Sequence, residues 1–337
     1  MAIRSSVQVN RPAPGRGLSR RAFLRSSASA GAGLVVFARP LRSAEAVEPL
    51  PTRVLGRTKA KVTILGLGTA PIGEGPVDTP EASKIFGAVL DQGVTYVDTA
   101  RSYGNAEEAL AQVVPQRRDQ LFLATKCWTD SGAQAQKLFE TSLRTLKVDY
   151  LDLVHIHNMG NKDPGKVLAK DGILEYLLKQ KEAGKLRFIG LSGHERPPRF
   201  LEVLKTGQID VVMPVMNYAD RHIYGFEDKV LPECRKQGVG VVAMKVYVGI
   251  KGGFPNHRKG SVGCVTKPEL LPQAMAYVLD LEGVSVANIG PYTMEQALQN
   301  VAFARQYKPL AEAERAELLA LGKQIAADIG PRYGPVA

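Results

Sequence analysis

The sequence predicts an α/β fold, a closed (β/α)8 barrel of the TIM type with an N-terminal β-hairpin and a C-terminal helical extension. Two observations carry this. From residue 52 onward, short runs rich in β-branched residues alternate with longer helical stretches, the pattern of a parallel sheet rather than of segregated α and β regions. Eight such units follow one another without a long low-complexity stretch between halves, which favours closure over an open, doubly wound sheet. A chain of 337 residues with 45% apolar content can bury the single large core that such a barrel needs.

Taken in order, residues 52–62 (TRVLGRTKAKV) read as a hairpin turning at Gly56-Arg57-Thr58, placed to plug the bottom of the barrel. Strands are expected at 63–67, 94–98, 121–125, 150–156, 187–191, 210–215, 239–243 and 284–288. Helices are expected at 79–92, 105–114, 132–146, 171–183, 195–205, 226–237, 270–281 and 293–305, with one more amphipathic helix over 311–327. Asp91-Gln92-Gly93 before VTYVD and Ala183-Gly184-Lys185 before LRFIG are glycine stops between a helix and the strand after it. Residues 246–268, rich in Gly and holding Pro255, have no assigned structure; a loop of that length at a barrel's mouth is usually functional or mobile.

The net charge of +11 invites a nucleic acid or an anionic membrane as partner, but the excess is unevenly placed. Residues 1–46 hold eight Arg, no Lys and one acid, Glu45, so setting aside their +7 leaves +4 on the other 291 residues. No basic block interleaved with aromatics supports nucleic-acid binding. The segment SRRAFLR (19–25), followed by the weakly apolar run Ser26–Phe37 and by Ala44-Glu45-Ala46, resembles a twin-arginine export signal. Arg20 and Arg21 form its pair, and cleavage is expected after Ala46. The division that follows is a signal peptide over 1–46 and one barrel over 47–337, exported folded to the periplasm by the twin-arginine machinery. The apolar run is too short to span a bilayer, which takes about 20 residues. Three cysteines, Cys127, Cys234 and Cys264, with no C-x-x-C pair, argue against a disulfide framework or a cysteine metal site.

Active sites of such barrels lie at the C-terminal ends of the strands. There VTYVDTARSYGNAEEAL (94–110) places Asp98 at a strand end with Tyr103 five residues on, LFLATK (121–126) ends in Lys126, and YLDLVHIH (150–157) ends in His157. Each alone has a bland alternative as a cap, a solvated charge or a packing residue. Together they meet a chemical requirement. Reducing a carbonyl by hydride needs a proton donor beside the oxygen, and a phenol of pKa about 10 is a poor acid at neutral pH. An ammonium such as Lys126 lowers that pKa, a carboxylate such as Asp98 keeps the ammonium charged, and His157 orients the carbonyl or shares its proton.

DTARSYGNAE, TK and LDLVHIHN resemble the catalytic tetrad of the aldo-keto reductases in order and spacing, and the resemblance runs over roughly residues 52–305. It implies an NAD(P)H-dependent oxidoreductase interconverting an aldehyde or ketone with an alcohol, with Asp98, Tyr103, Lys126 and His157 as the catalytic four. It also implies cofactor contacts from Gly68 and Thr69 in GLGT, Ser192 in FIGLSGH, Asn217 in VVMPVMNYADR, Met244 and Lys245 in VVAMKV, and Gly290, Gln296 and Asn300 in ANIGPYTMEQALQN. Four positions depart from the family's pattern: Gly193 for Asn, Met213 for Gln, Met244 for a stacking Tyr, and Tyr292 for the Arg that grips the 2′-phosphate. NADP(H) is expected over NAD(H), with Tyr292 in place of that Arg. Substrate choice is expected from the loops Asn158–Lys170 and Val246–Pro268, whose Lys251, His257, Arg258 and Lys259 would suit an anionic group.

Two other functions compete with this. A nicotinamide-binding barrel without turnover, similar to the potassium-channel beta subunits, would act as a regulatory partner. A zinc-dependent barrel hydrolase would use His155 and His157, which alternate along one strand and face the same side. No metal is expected on the reductase reading, where His155 is an inward barrel residue. Cys127, adjacent to Lys126, should face the helix layer instead of the pocket, and Met213 and Met216 should fill the core.

Overall fold

In a computed structural model, which describes residues 48–251, 256 and 263–337, ten strands form two sheets. Strands β1 (Thr52–Val54) and β2 (Lys61–Thr63) make an antiparallel hairpin. The other eight are β3 (Leu65–Gly68), β4 (Tyr96–Asp98), β5 (Phe122–Cys127), β6 (Leu151–Ile156), β7 (Leu186–Gly193), β8 (Val211–Pro214), β9 (Gly240–Met244) and β10 (Val284–Ile289). They pair in parallel in sequence order, and β10 closes on β3, so the barrel is complete. The expected fold class holds. The expected leader, with its paired arginines and cleavage point, lies outside the described residues, as do His257, Arg258 and Lys259.

Alternation along the strands builds two cores. Tyr96, Phe122, Ala124, Leu153, Val211, Met213, Val242 and Val286 point inward and pack with Leu55 and Val62 of the hairpin. Tyr96 and Phe122 stack at 5.5 Å, and Phe122 and Phe188 at 5.9 Å. The larger core lies between the strands and the surrounding helices, and Cys127 and Met216 belong to it. Cys127 is therefore on the face opposite Lys126, and burial pushes its thiol up to about 12.

The hairpin does plug the bottom. Leu55 is fully buried at its turn, and Gly56 adopts φ +48 where a Cβ would lie 2.3 Å from the Gly240 nitrogen. Only glycine lets the turn approach β9 this closely. The Arg57 amide donates to the Gly238 carbonyl, and its guanidinium bonds the Gly207 and Ile209 carbonyls and the Asp210 carboxylate.

Helices fall where the periodicity places them, at Thr79–Asp91, Gly132–Leu146, Ile173–Glu182, Pro197–Leu204, Leu271–Leu279, Met294–Arg305 and Glu312–Ile329. Two expectations change. The helix expected over 105–114 is regular only at Ala106–Leu110. The one expected over 226–237 breaks into Phe226–Lys229 and Leu231–Gln237. Pro232 explains the break, because its ring would clash with the Asp228 carbonyl and it has no amide to donate. A short helix, Ala70–Glu74, follows β3 without having been expected.

Candidate active site

The tetrad residues meet at the C-terminal mouth of the barrel. Asp98 ends β4 and Lys126 lies near the end of β5, both facing inward and buried. The Lys126 ammonium donates to Asp98 Oδ2 at 2.7 Å and to the Thr99 carbonyl at 2.8 Å. Tyr103 sits in the turn after β4, and Lys126 Nζ lies 4.5 Å from the centroid of its ring. His157 directly follows β6, edge-on to Tyr103 with ring centroids 5.8 Å apart. All four sequence-selected groups are thus brought together.

The turn carrying Tyr103 has its own anchor. Arg101 bonds Glu107 and Glu108, each at 2.7 Å. The Glu107 carboxylate is fully buried and also accepts from Thr125 and Ser142. Thr69, at the end of β3, donates its amide and its hydroxyl to the Asp98 carbonyl. Backbone and side chains together hold the start of this turn.

Electrostatics alter one expectation. Burial raises the Asp98 pKa and lowers that of Lys126, while their mutual attraction opposes both shifts. Tyr103, expected to have its phenol made more acidic, instead has its pKa pushed well above the usual value by burial and by the Asp98 and Glu74 carboxylates. The physical reason is first the loss of solvation for a phenolate there, to which the negative charges of Asp98, itself 2.7 Å from Lys126, and of Glu74 add. The phenol is therefore held protonated. Burial and the Lys126 charge push His157 well below its normal value, so its imidazole is neutral at neutral pH.

His155, register partner of Lys126, is fully buried and held near a pKa of about 3 by burial and by Lys126. A Cβ on Gly190 would lie 2.4 Å from its Nδ1, so it is packed against β7. Among the described residues no group of three or more His, Cys, Asp or Glu is placed to hold a metal ion.

A cavity of about 370 Å³ opens from Asp98 and Tyr103 and continues past Met213, Met244 and Lys245 to the helix Met294–Arg305. Of the nine residues expected to contact cofactor, Gly68, Thr69, Met244, Lys245, Gly290, Gln296 and Asn300 line it. Ser192 is buried on β7, and its hydroxyl has no hydrogen-bond partner among the described residues. Asn217 is different, because its amide is committed internally. It donates to Asp220 and to the Lys245 carbonyl and accepts from the amides of Ala219 and Asp220. It shapes the wall by holding Lys245, which adopts φ +58. Burial lowers the Lys245 pKa to about 8.

The residues fit a nicotinamide dinucleotide. An orphaned buried Ser192 hydroxyl lies on a mouth strand, and the cavity runs from the tetrad to a helix N-terminus. That terminus is partly occupied by its own cap: Thr293 Oγ1 accepts from the Gln296 amide, and Gln296 Oε1 accepts from the Tyr292 amide. Tyr292, standing for the expected Arg, is buried in the cavity wall.

Sequence reasoning missed three residues. Trp128, 51% exposed, lies 4.9 Å from the His157 ring and so borders the place a substrate would enter. An aromatic two residues beyond Lys126 was a usable signal. Asn288 on β10 donates to Asp98 Oδ2 at 3.1 Å. Glu107 anchors the Tyr103 turn. Asn288 carries no local sequence signal because it acts across strands far apart in the chain, and Glu107 owes its place to Thr125 and Ser142 on later elements as well as to nearby Arg101.

Residues 64–260 match the Aldo/keto reductase family model. The chain belongs to that family and is an oxidoreductase that depends on a nicotinamide cofactor. It is 27% identical to an L-galactose dehydrogenase of Arabidopsis thaliana over 294 residues, 77% of this chain and 89% of that protein. Its fold is similar to that of the holo form of an aldo-keto reductase from Bacillus halodurans, with a TM-score of 0.66, 26% identity, and coverage of 81% of this chain and 96% of that one. It also resembles an aldo-keto reductase from Klebsiella pneumoniae solved in complex with NADPH, with a TM-score of 0.64, 24% identity, and coverage of 82% and 96%.

Proposed function

We propose that this protein reduces an aldehyde or ketone, or oxidises the corresponding alcohol, with Tyr103 as the general acid and base. One observation carries the reading: the ammonium of a buried Lys126–Asp98 ion pair lies 4.5 Å from the centroid of the Tyr103 ring, and a neutral imidazole lies edge-on to the same ring. The nicotinamide, when bound, supplies or accepts the hydride. The chain's own groups manage the proton. Tyr103, kept protonated, donates to the carbonyl oxygen as negative charge develops there. His157, neutral, offers a ring N–H to that same oxygen and so orients the carbonyl. Lys126 stabilises the phenolate that remains, and Asp98 keeps Lys126 charged as it does so. In the alcohol direction the same groups act in reverse.

NADP(H) is favoured over NAD(H) in this reading. Lys245, Lys251 and Lys267 line the cavity and supply positive charge for a phosphate in place of the missing Arg. The N-terminus of the helix Met294–Arg305 adds its dipole, although Glu295 in its first turn opposes that. Trp128 and the Asn158–Lys170 and Val246–Pro268 loops select the substrate. Residues 1–46 direct the folded protein through the twin-arginine pathway to the periplasm, a reading that rests on SRRAFLR and Ala44-Glu45-Ala46.

The test is a fluorescence titration with NADPH and NADH, followed by turnover of simple aldehydes, ketones and L-galactose. Nucleotide binding with turnover supports the reading. Absence of nucleotide binding removes it. For export, replacing Arg20 and Arg21 by Lys should leave a longer precursor in the cytoplasm, and unchanged delivery to the periplasm would sink that part.

A further inference from the structure

Asn288 is the inward residue at the mouth end of β10, register partner of Met244. Its amide reaches two strands to either side. Nδ2 donates to Asp98 Oδ2 on β4 at 3.1 Å and lies 3.6 Å from Met213 Sδ on β8. The neighbouring strand β3 makes room for this crossing by having no side chains there. A Cβ on Gly66 would lie 3.0 Å, and one on Gly68 3.3 Å, from Asn288 Oδ1. The Gly-Leu-Gly run of β3 thus has a use in this chain beyond the backbone, since it leaves the space in which the Asn288 amide lies beside Asp98.

The consequence is chemical. Asp98 Oδ2 takes both the Lys126 ammonium and the Asn288 amide, while Oδ1 has no partner among the described residues. A buried ammonium–carboxylate pair can relax by passing its proton and becoming neutral, and burial favours that outcome. A donor fixed on the carboxylate opposes it, because it stabilises the anion more than the acid. An amide does this without adding a second positive charge beside Tyr103.

We propose that Asn288 is a positioning residue of the reaction, whose amide holds Asp98 as the carboxylate that keeps Lys126 charged beneath Tyr103. The proposal rests on the reading of Tyr103 as the proton donor. The other ionisable groups around the pair are Tyr96 on β4, Tyr103 in the turn after it, Glu74 after β3, Glu107 behind β5, His155 on β6, His157 just after it and Lys245 just after β9. None of them donates a hydrogen bond to Asp98 among the contacts of the described residues, so Lys126 and Asn288 are the two groups that stabilise its charge directly.

The test uses the full chain and two variants. Asn288→Leu removes the donor while keeping the same number of side-chain heavy atoms branched at Cγ, and Asn288→Asp restores a donor only where the new carboxyl is protonated. With Asn288→Leu, kcat should fall about tenfold, with KM and NADPH affinity changed less than about threefold, as expected for a lost hydrogen bond to a charged group. The low-pH limb of the rate profile should move up by about one pH unit, since Asp98 loses a partner of its ionised form. Asn288→Asp should recover activity towards acid pH, the opposite slope.

A wild-type profile in Asn288→Leu overturns the proposal, and so does a loss of NADPH affinity in step with kcat, which would make Asn288 a cofactor ligand instead. A readout independent of turnover separates this from failure of the functional reading. The carboxyl ¹³C resonance of Asp98, assigned by its disappearance in Asp98→Asn, should titrate at higher pH in Asn288→Leu than in wild type. An unchanged titration overturns the proposal even if no carbonyl substrate is ever turned over. If Asn288→Leu fails to fold, the Asp98 titration in Asn288→Asp decides, because its second carboxylate should raise the Asp98 midpoint and an unmoved midpoint overturns the proposal.

Discussion

Tyr103 stands between opposed influences: the Lys126 ammonium lies 4.5 Å from its ring centroid, while burial and the carboxylates of Asp98 and Glu74 hold its proton on. On the proposed reading, that balance suits a proton donor that does not ionise prematurely, and so carbonyl reduction better than alcohol oxidation. Replacing Tyr103 by Phe removes one hydroxyl and little packing, so steady-state reduction should fall by ~10²–10⁴-fold, the usual contribution of a general acid. NADPH titration of the same variant should remain within a few-fold of wild type, and full activity in it would refute the assignment. Lys126→Met should be worse for stability as well as for rate, because it leaves the Asp98 carboxylate buried without its cation. About 3–5 kcal/mol is expected from breaking a buried pair, readable by urea denaturation. Asp98, Lys126 and His157 were legible in the sequence because each lies at or next to a strand end, and Tyr103 because it follows Asp98 by five residues in a recognisable run. Their protonation was not, since the phenol's environment depends on Glu74 and on the closeness of Asp98 to Lys126, distances that no spacing along the chain supplies.

Strand placement was legible because each barrel strand is a short apolar run bounded by glycine or by a helix, and the structure moves most ends by only a residue or two. What escaped were features set by contacts between elements: the helix after β3, the break before Pro232, and the reach of Asn288 across the mouth. The hairpin is the clearest case of an element whose use was foreseen and whose energetics can be tested. Leu55 fills the barrel floor together with Val62, Tyr96 and Phe122, and Leu55→Ala should cost about 2–5 kcal/mol, seen as a lower urea midpoint with an unchanged slope. A change below about 0.5 kcal/mol would mean that the plug is not part of the cooperative core. The helix pair at Phe226–Lys229 and Leu271–Leu279 offers a pH test. Buried Glu227 accepts from Tyr277 at 3.0 and 2.8 Å and faces Arg221 at 3.3 Å, yet burial, the largest influence, raises its pKa to about 7. A carboxyl whose folded pKa is above its unfolded value binds more protons when folded, so its contribution is fully present below pH ~4.5 and is lost as pH rises through about 7. Urea denaturation at pH 5, 6 and 7 should show a decline that Glu227→Gln flattens; equal slopes in both proteins would contradict it.

At the scale of the whole molecule, the cavity that Asp98 and Tyr103 line is also lined by Lys251 and Lys267 of the long loop after β9. The sequence pointed to the helix after β10 for the phosphate end and found Tyr292 where an Arg was expected; only the folded cavity puts loop lysines on the same wall. If those lysines take over the work of the absent Arg, nucleotide binding should stabilise the folded protein unequally for the two cofactors. A ligand at one hundred times its Kd adds about 2.7 kcal/mol, which for a chain of this size raises Tm by roughly 5 °C. NADPH should reach that shift at a lower concentration than NADH, and the gap should shrink as ionic strength rises, because exposed charges are screened beyond about 8 Å in physiological salt. Lys267→Glu is the decisive variant, since Lys267 is exposed and lines the cavity. It should weaken NADPH while leaving NADH nearly unchanged, so that the two thermal-shift curves converge. Equal weakening of both nucleotides would place Lys267 at the shared pyrophosphate, and no weakening of either would return the phosphate to the dipole of the helix Met294–Arg305.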